Sequence, residues 1–233
     1  MAIIDKLMKI AGKDDFQLDE RISTVYILRL CWRYGWMMVR GRFFSFGCSN
    51  IANDVFIGHG VKTYEKKYLI MGSKTKLHDG VYIDALSARL GGVFLGDHVV
   101  LGRNTRIECS GSLSSLGIGV KIGNRSTFAG DCFFGAAGGI EIGEDVVAGQ
   151  KIRFHSENHN YGDINVLIKD QGVTHQGIKI GNNCWIGAGA VFLDGAELGD
   201  GCVVAANAVV AKKFPGNVVI GGIPAKIIKK RGL

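Results

Sequence analysis

Three features of this 233-residue chain predict an all-β solenoid, a parallel β-helix with three short strands in each coil. Bulky apolar residues recur at every sixth position over most of the sequence. Small or β-branched residues fill a second slot four positions later. Glycine is abundant, with 35 residues against only two prolines, about twice the usual share of ~7%. Neither the helical period of 3.6 nor the strand period of two accounts for a spacing of six.

The recurrence is clearest in the last third, where Ile180, Ile186, Phe192, Leu198, Val204 and Val210 keep one phase. Glycine follows three of them, at Gly181, Gly187 and Gly199. An earlier tract runs through Met71, Leu77, Ile83, Leu95, Leu101, Ile107 and Leu113, with Arg89 the misfit. Between them stand Ile122, Phe128, Phe134 and Ile140, then Ile142, Ala148 and Phe154 after a slip of two. The second slot holds Val99, Thr105, Ser126, Cys132, Cys184, Ala190, Ala196, Cys202 and Ala208, and Phe214 breaks the rule. Cys132, Cys184 and Cys202 therefore read as core residues rather than nucleophiles or metal ligands. Six residues make one flat side with one large and one small inward residue, so about 18 residues close a triangular coil. Coils then stack at the strand spacing of about 4.8 Å, and each touches only its neighbours. The expected organisation is an N-terminal segment 1–50, a β-helix 51–220 with an inserted loop 155–179, and a tail 221–233.

Composition narrows the setting. The formal charge of +7 suits an acidic partner, whether nucleic acid, anionic membrane or phosphorylated small molecule. No apolar run reaches the ~20 residues that span a bilayer. Met1–Glu20 lacks the apolar stretch of a secretory signal. The six cysteines contain no C-x-x-C pair, which argues against a zinc ribbon or a thioredoxin-type site. A reducing, cytoplasmic location is expected.

The repeats resemble the hexapeptide-repeat acyltransferase family over roughly 51–231. The run Ile180-Gly-Asn-Asn-Cys-Trp-Ile-Gly187 and the ending Gly221-Gly-Ile-Pro-Ala-Lys226 look like its maltose and galactoside O-acetyltransferase branch. Ser156-Glu-Asn-His-Asn-Tyr161, with Gln171-Gly172, is similar to O-acetyltransferases of surface-polysaccharide synthesis, lipopolysaccharide and capsule among them. The resemblance implies a left-handed β-helix, a homotrimer with active sites between subunits, and transfer of acetyl from acetyl-CoA to a sugar hydroxyl. That hydroxyl needs a base, because its own pKa is far too high to ionise near neutral pH, and a neutral imidazole supplies one. The resemblance places the base in the 155–179 loop, His159 first and His155 second, with ordering of the loop as the plain alternative for either. His175 reads as a loop residue, and Glu157 or another carboxylate is expected to fix the imidazole tautomer.

Carried over position by position, the resemblance gives a CoA site along the outside of the later coils. Ala188 and Ala206 contribute backbone groups, Ala211 and Lys212 lie near the pantetheine and adenine end, and Lys226 and Lys229 meet the phosphates. Asp131 falls near the acceptor side, where the family's usual asparagine is replaced by Ala129. No metal site and no nucleic-acid partner are expected. His59, His78 and His98 lie too far upstream to resemble the zinc triad of the γ-class carbonic anhydrases on this fold. Residues 1–50 are too short for the nucleotide-binding domain of related nucleotidyltransferases. Two alternatives stand beside O-acetylation: N-acetylation of a nucleotide-linked amino sugar, and a non-catalytic scaffold.

The ends depart from the repeat. Ile22–Met38 reads as a helix, with Arg29, Arg33 and Arg40 near one stripe and Phe43, Phe44 and Phe46 after it. It is either a cap over the open first coil or a segment lying in a membrane interface against anionic headgroups. Ala225–Lys230 is expected to form a short closing helix.

Overall fold

The computed structural model describes residues 18–19, 21–88 and 92–232. Arg89 and nearly all of Met1–Glu20 lie outside the described residues. The chain divides into two compact units, 1–37 and 38–233.

The first unit holds most of one helix, α1 (Thr24–Ser45). Its start is set by Ser23, whose Oγ accepts the Tyr26 N–H at 3.2 Å and satisfies a donor that the first turn leaves orphaned. Within it Trp32 and Trp36 meet edge to face with centroids 5.7 Å apart.

The second unit begins with the last turns of α1, which lie on the first coil. A Cβ at Gly41 would fall 1.8 Å from the Val55 carbonyl oxygen, so no side chain fits there. Arg40 Nε donates to the Ile57 carbonyl at 2.8 Å, and Lys66 Nζ donates to that of Phe44. The helix runs seven residues beyond the expected end at Met38.

From Ile51 onward the chain winds as a parallel β-helix with three sides. Among the described residues the first side has nine strands, eight from Phe56–Ile57 to Val218–Gly221 and the ninth, Lys226–Lys230, at its edge. The second has seven, from Lys62–Tyr64 to Val209–Val210, and the third has seven, from Leu69–Met71 to Lys213–Phe214. Neighbouring coils pair in parallel and in register, as where Phe134, Phe154 and Phe192 lie side by side on the second side. These phenylalanines are buried and stack face to face, with centroids 4.8 and 4.9 Å apart.

The recurrent apolar-Gly-Asn/Asp run has a structural cause at one corner. The Asn or Asp side chain of each coil reaches the preceding coil and accepts a backbone N–H: Asn124 from Asp97 at 2.8 Å, Asn182 from Glu144 at 2.8 Å, Asp200 from Asn182 at 2.7 Å. The glycine makes room for it, since a Cβ at Gly143 would lie 2.5 Å from Asn182 Oδ1. Other corners turn through left-handed residues, many of them Asn or Asp, such as Asn183 and Asn207, which tolerate that conformation better than most side chains.

Three expectations change, and one irregularity finds its cause. Leu113 is 88% exposed; the phase stops at Ile107, and the chain leaves the coil in a loop tied at its neck by Ser110, whose Oγ accepts the Gly117 N–H at 2.9 Å. Phe214 is not a misfit in the small slot. It pairs with Leu198 in the large slot, because the side before it is two residues short. The slip between Ile140 and Ile142 arises because both point inward around exposed Glu141. The tail is not a helix: Lys226–Lys230 is a strand antiparallel to Val218–Gly221, since the last parallel strand offers unpaired backbone groups that an extended segment satisfies.

Candidate active site

The site forms where the coil is interrupted. The chain leaves the second side after Arg153–His155 and rejoins the third at Ile178–Ile180. Buried Ser156 anchors the exit: its Oγ donates to the Gly135 carbonyl at 2.9 Å and accepts the Gly138 N–H at 3.0 Å. Buried Asp194 anchors the return, accepting the N–H groups of Gln176 at 2.9 Å and Gly177 at 2.8 Å. Between these points Asn158–His159 pairs antiparallel with Val173–Thr174, His159 opposite Val173. Gln171 holds the tip together. Its Nε2 donates to the Asp163 and Val166 carbonyls, each at 2.8 Å, and its Oε1 accepts the Asp163 N–H at 3.1 Å.

His155 and His159 line one cleft of about 300 Å³, with Ser156, Glu157, Glu108 and Phe133. Strand register fixes part of this arrangement. Asp84, Glu108, Gly135 and His155 occupy successive coils in one outward column, and Gly135 leaves a notch between Glu108 and the imidazole. The Phe133 ring lies 5.6 Å from that of His155. Burial, and secondarily the charge of Arg153, holds the His155 pKa below the ordinary histidine value.

Glu157 does not serve the imidazole that was expected. Its Oε2 lies 2.7 Å from Nε2 of His175, so the pair it forms braces the loop instead. Asp131 is also outside the cleft; it sits on a corner, with Asn104 Nδ2 donating to it at 3.2 Å. Glu108 and Phe133 were missed from sequence because they belong to earlier coils, and only strand register brings them to His155.

The expected donor positions lie together on later coils and do not line the histidine cleft. Ala188 and Ala206 follow one another along a corner of small residues, where the Asn207 N–H donates to the Ala188 carbonyl at 2.9 Å. Larger residues would not pack there: a Cβ at Gly187 would lie 2.5 Å from the Ala206 nitrogen. Ala211 and Lys212 are exposed at the next corner, with Lys212 Nζ 5.4 Å from the Phe214 ring centroid. Lys226 and Lys229 sit on the closing strand opposite Gly221 and Val219. A wider groove of about 650 Å³ on the third side carries Lys121, Glu141 and Lys179 but no histidine or cysteine.

Cys132, Cys184 and Cys202 are buried, as their slot requires. Desolvation pushes the Cys132 and Cys184 thiols up to about 11, away from nucleophilic use. Among the described residues no group of three or more His, Cys, Asp or Glu is placed to hold a metal ion.

A model of the bacterial transferase hexapeptide, six repeats, matches residues 177–212. Those residues carry the six-residue repeat of the bacterial hexapeptide transferases. The chain's coil is the three-sided parallel β-helix that the six-residue spacing predicts. A Mycobacterium tuberculosis protein named as a probable acetyltransferase is 34% identical over 182 residues, covering 77% of this chain and 51% of its own length. Escherichia coli WbbJ, named for O-acetyl transfer in lipopolysaccharide biosynthesis, is 34% identical over 98 residues, covering 39% of this chain and 50% of its own. Escherichia coli WcaF, named for acetyl transfer in colanic acid biosynthesis, is 29% identical over 147 residues, covering 63% and 74%. The chain spans about half the length of the first two of these relatives.

Proposed function

We propose that the chain is an acetyl-CoA-dependent O-acetyltransferase acting on a sugar hydroxyl in surface-polysaccharide or lipopolysaccharide biosynthesis. The observation that carries this is a pair of imidazoles, His155 and His159, in one cleft beside the loop of a hexapeptide-repeat coil. The names of WbbJ and WcaF point the same way.

The imidazole takes the proton of the sugar hydroxyl as its oxygen bonds to the thioester carbonyl carbon. The carbon–sulfur bond then breaks, and the imidazolium returns the proton to the departing CoA thiolate. No enzyme nucleophile is needed. His159 is the first choice of base, on the resemblance. His155 is the second, favoured by a lowered pKa that keeps its ring neutral and ready to accept. Acetyl-CoA supplies the activated acyl group. Small residues at Ala188, Ala206 and Ala211 fit an extended pantetheine lying close to the backbone, Lys212 stands near its pantetheine and adenine end, and Lys226 and Lys229 supply positive charge for its phosphates.

The active assembly is a homotrimer in the cytoplasm, with sites between subunits. In the single chain the loop exposes Tyr161, Ile164, Leu167 and Ile168, an apolar tip that a neighbouring subunit would cover.

Calorimetric titration with acetyl-CoA and CoA, without acceptor, tests the donor site. Saturable micromolar binding is expected, weakened about tenfold or more, or ~1.4 kcal/mol, when Lys226 and Lys229 are both replaced by alanine. A folded trimer that binds no donor at millimolar concentration would remove the transferase reading and leave a scaffold. Treating the product with mild alkali separates an ester, which is lost, from the amide of N-acetylation, which survives.

A further inference from the structure

The last turns of α1 lie on the first coil, but one stripe of the helix is exposed along its length. Val25, Leu28, Trp32, Trp36, Val39 and Phe43 recur at spacings of three and four, so they form one stripe along the 22-residue helix. All six are exposed, with Leu28 at 64%, Trp32 at 71% and Phe43 at 79%. A contiguous apolar stripe of this kind marks a surface that meets something.

Charge decides what that is. The helix contains Arg29, Arg33, Arg40 and Arg42 and no acid, and no Asp or Glu occurs anywhere between Glu20 and Asp54. At 100° per residue, Arg29, Arg33 and Arg40 run along one flank of the stripe and Arg42 lies on the other. Pairing with a second copy of this helix would bring arginine rows together with no carboxylate to offset them. An anionic partner meets no such repulsion. Trp32 and Trp36 stand in the middle of the stripe, and tryptophan combines an apolar ring with a polar N–H that suits a membrane–water boundary. No described helix is long and apolar enough to cross a membrane. At about 33 Å long, α1 has the length and the two-faced character of a helix lying in the plane of a bilayer, its apolar face sunk about 5–10 Å.

We propose that α1 docks the protein on an anionic lipid bilayer, with Val25, Leu28, Trp32, Trp36, Val39 and Phe43 entering the headgroup–acyl boundary and the exposed Arg29 and Arg42 meeting lipid phosphates. This surface is independent of the catalytic reading.

The test is co-sedimentation of the full chain with vesicles of phosphatidylglycerol and phosphatidylcholine in about a 3:7 ratio, against vesicles of phosphatidylcholine alone. The protein is expected to pellet with the anionic vesicles, to be released by high salt, and to show blue-shifted tryptophan emission when bound. Trp32→Ser with Trp36→Ser should weaken partitioning about tenfold or more, and Arg29→Gln should reduce the preference for anionic lipid. Both variants change exposed helix residues, and unchanged thermal melting and acetyl-CoA titration separate lost docking from lost folding or lost donor binding. A folded protein that stays in the supernatant overturns the proposal, as does equal vesicle binding by the tryptophan variant. So does a tryptophan variant that loses self-association in sedimentation velocity while vesicle binding is unaffected, since a second copy then covers the stripe.

Discussion

Burial and Arg153 act on His155 in the same direction, both disfavouring the imidazolium. Its folded pKa lies below its unfolded value of about 6.5, so below that pH the unfolded chain binds more protons than the native one. Stability therefore falls as pH drops through about 6.5 toward the folded pKa, and is unaffected by this group above that range. Replacing His155 by glutamine should flatten that part of a plot of unfolding free energy against pH. The same shift has a kinetic reading. If His155 is the base, the acid limb of kcat/KM lies below about pH 6.5, the ordinary histidine value. Single alanine variants separate the two candidates: the one that is the base should lose about 10²–10⁴-fold in kcat, and the other much less. Sequence could bring both histidines to the same loop. It could not assign Glu157, because which imidazole a carboxylate reaches depends on how the loop folds back, and here that is His175.

At the scale of elements, the loop is held at both ends by buried polar side chains, Ser156 and Asp194. Asp194 lies outside the loop in sequence, yet it fixes the loop's return by accepting two successive backbone N–H groups. Asp194→Ala should leave those donors unmet at a cost of about 1–3 kcal/mol. Urea denaturation would measure it, and limited proteolysis should cut faster between Tyr161 and Gly172. The loop's limits were legible because the six-residue phase stops at Phe154 and resumes at Ile180. Its short β-ribbon was not, since two-residue strands carry no readable alternation. The tail was misread for a related reason. Five residues, Lys226 to Lys230, are too few to show a period, and the exposed backbone of Val218–Gly221 decided their conformation. The helix was legible in outline, but its extension to Ser45 depends on the close approach of Gly41 to Val55.

Across the whole molecule the interior is a column in which each coil supports the next. Phe154 sits in the middle of its aromatic stack, between Phe134 and Phe192. Phe154→Ala should cost about 3–5 kcal/mol, read as a lower denaturation midpoint, because neither neighbour can close the gap without leaving its own coil. This column is the part of the structure most legible in sequence, since a single spacing fixes which residues point inward. Departures occur where coil length changes. Leu113 keeps the count of six but leaves the core, because a loop intervenes, and Phe214 enters the large slot two residues early.

The strand Lys226–Lys230 bears on how the stack of coils is closed along one side. A stack of parallel coils is in principle a polymer: its last rung presents the same row of donors and acceptors that received every earlier rung, and another chain could add to it as a fibre grows. Here the first side of that rung is covered by a segment running the opposite way, with lysines at positions 226, 229 and 230. An incoming parallel strand meets the wrong polarity and a repelling charge, two of the devices by which sheets resist open-ended growth.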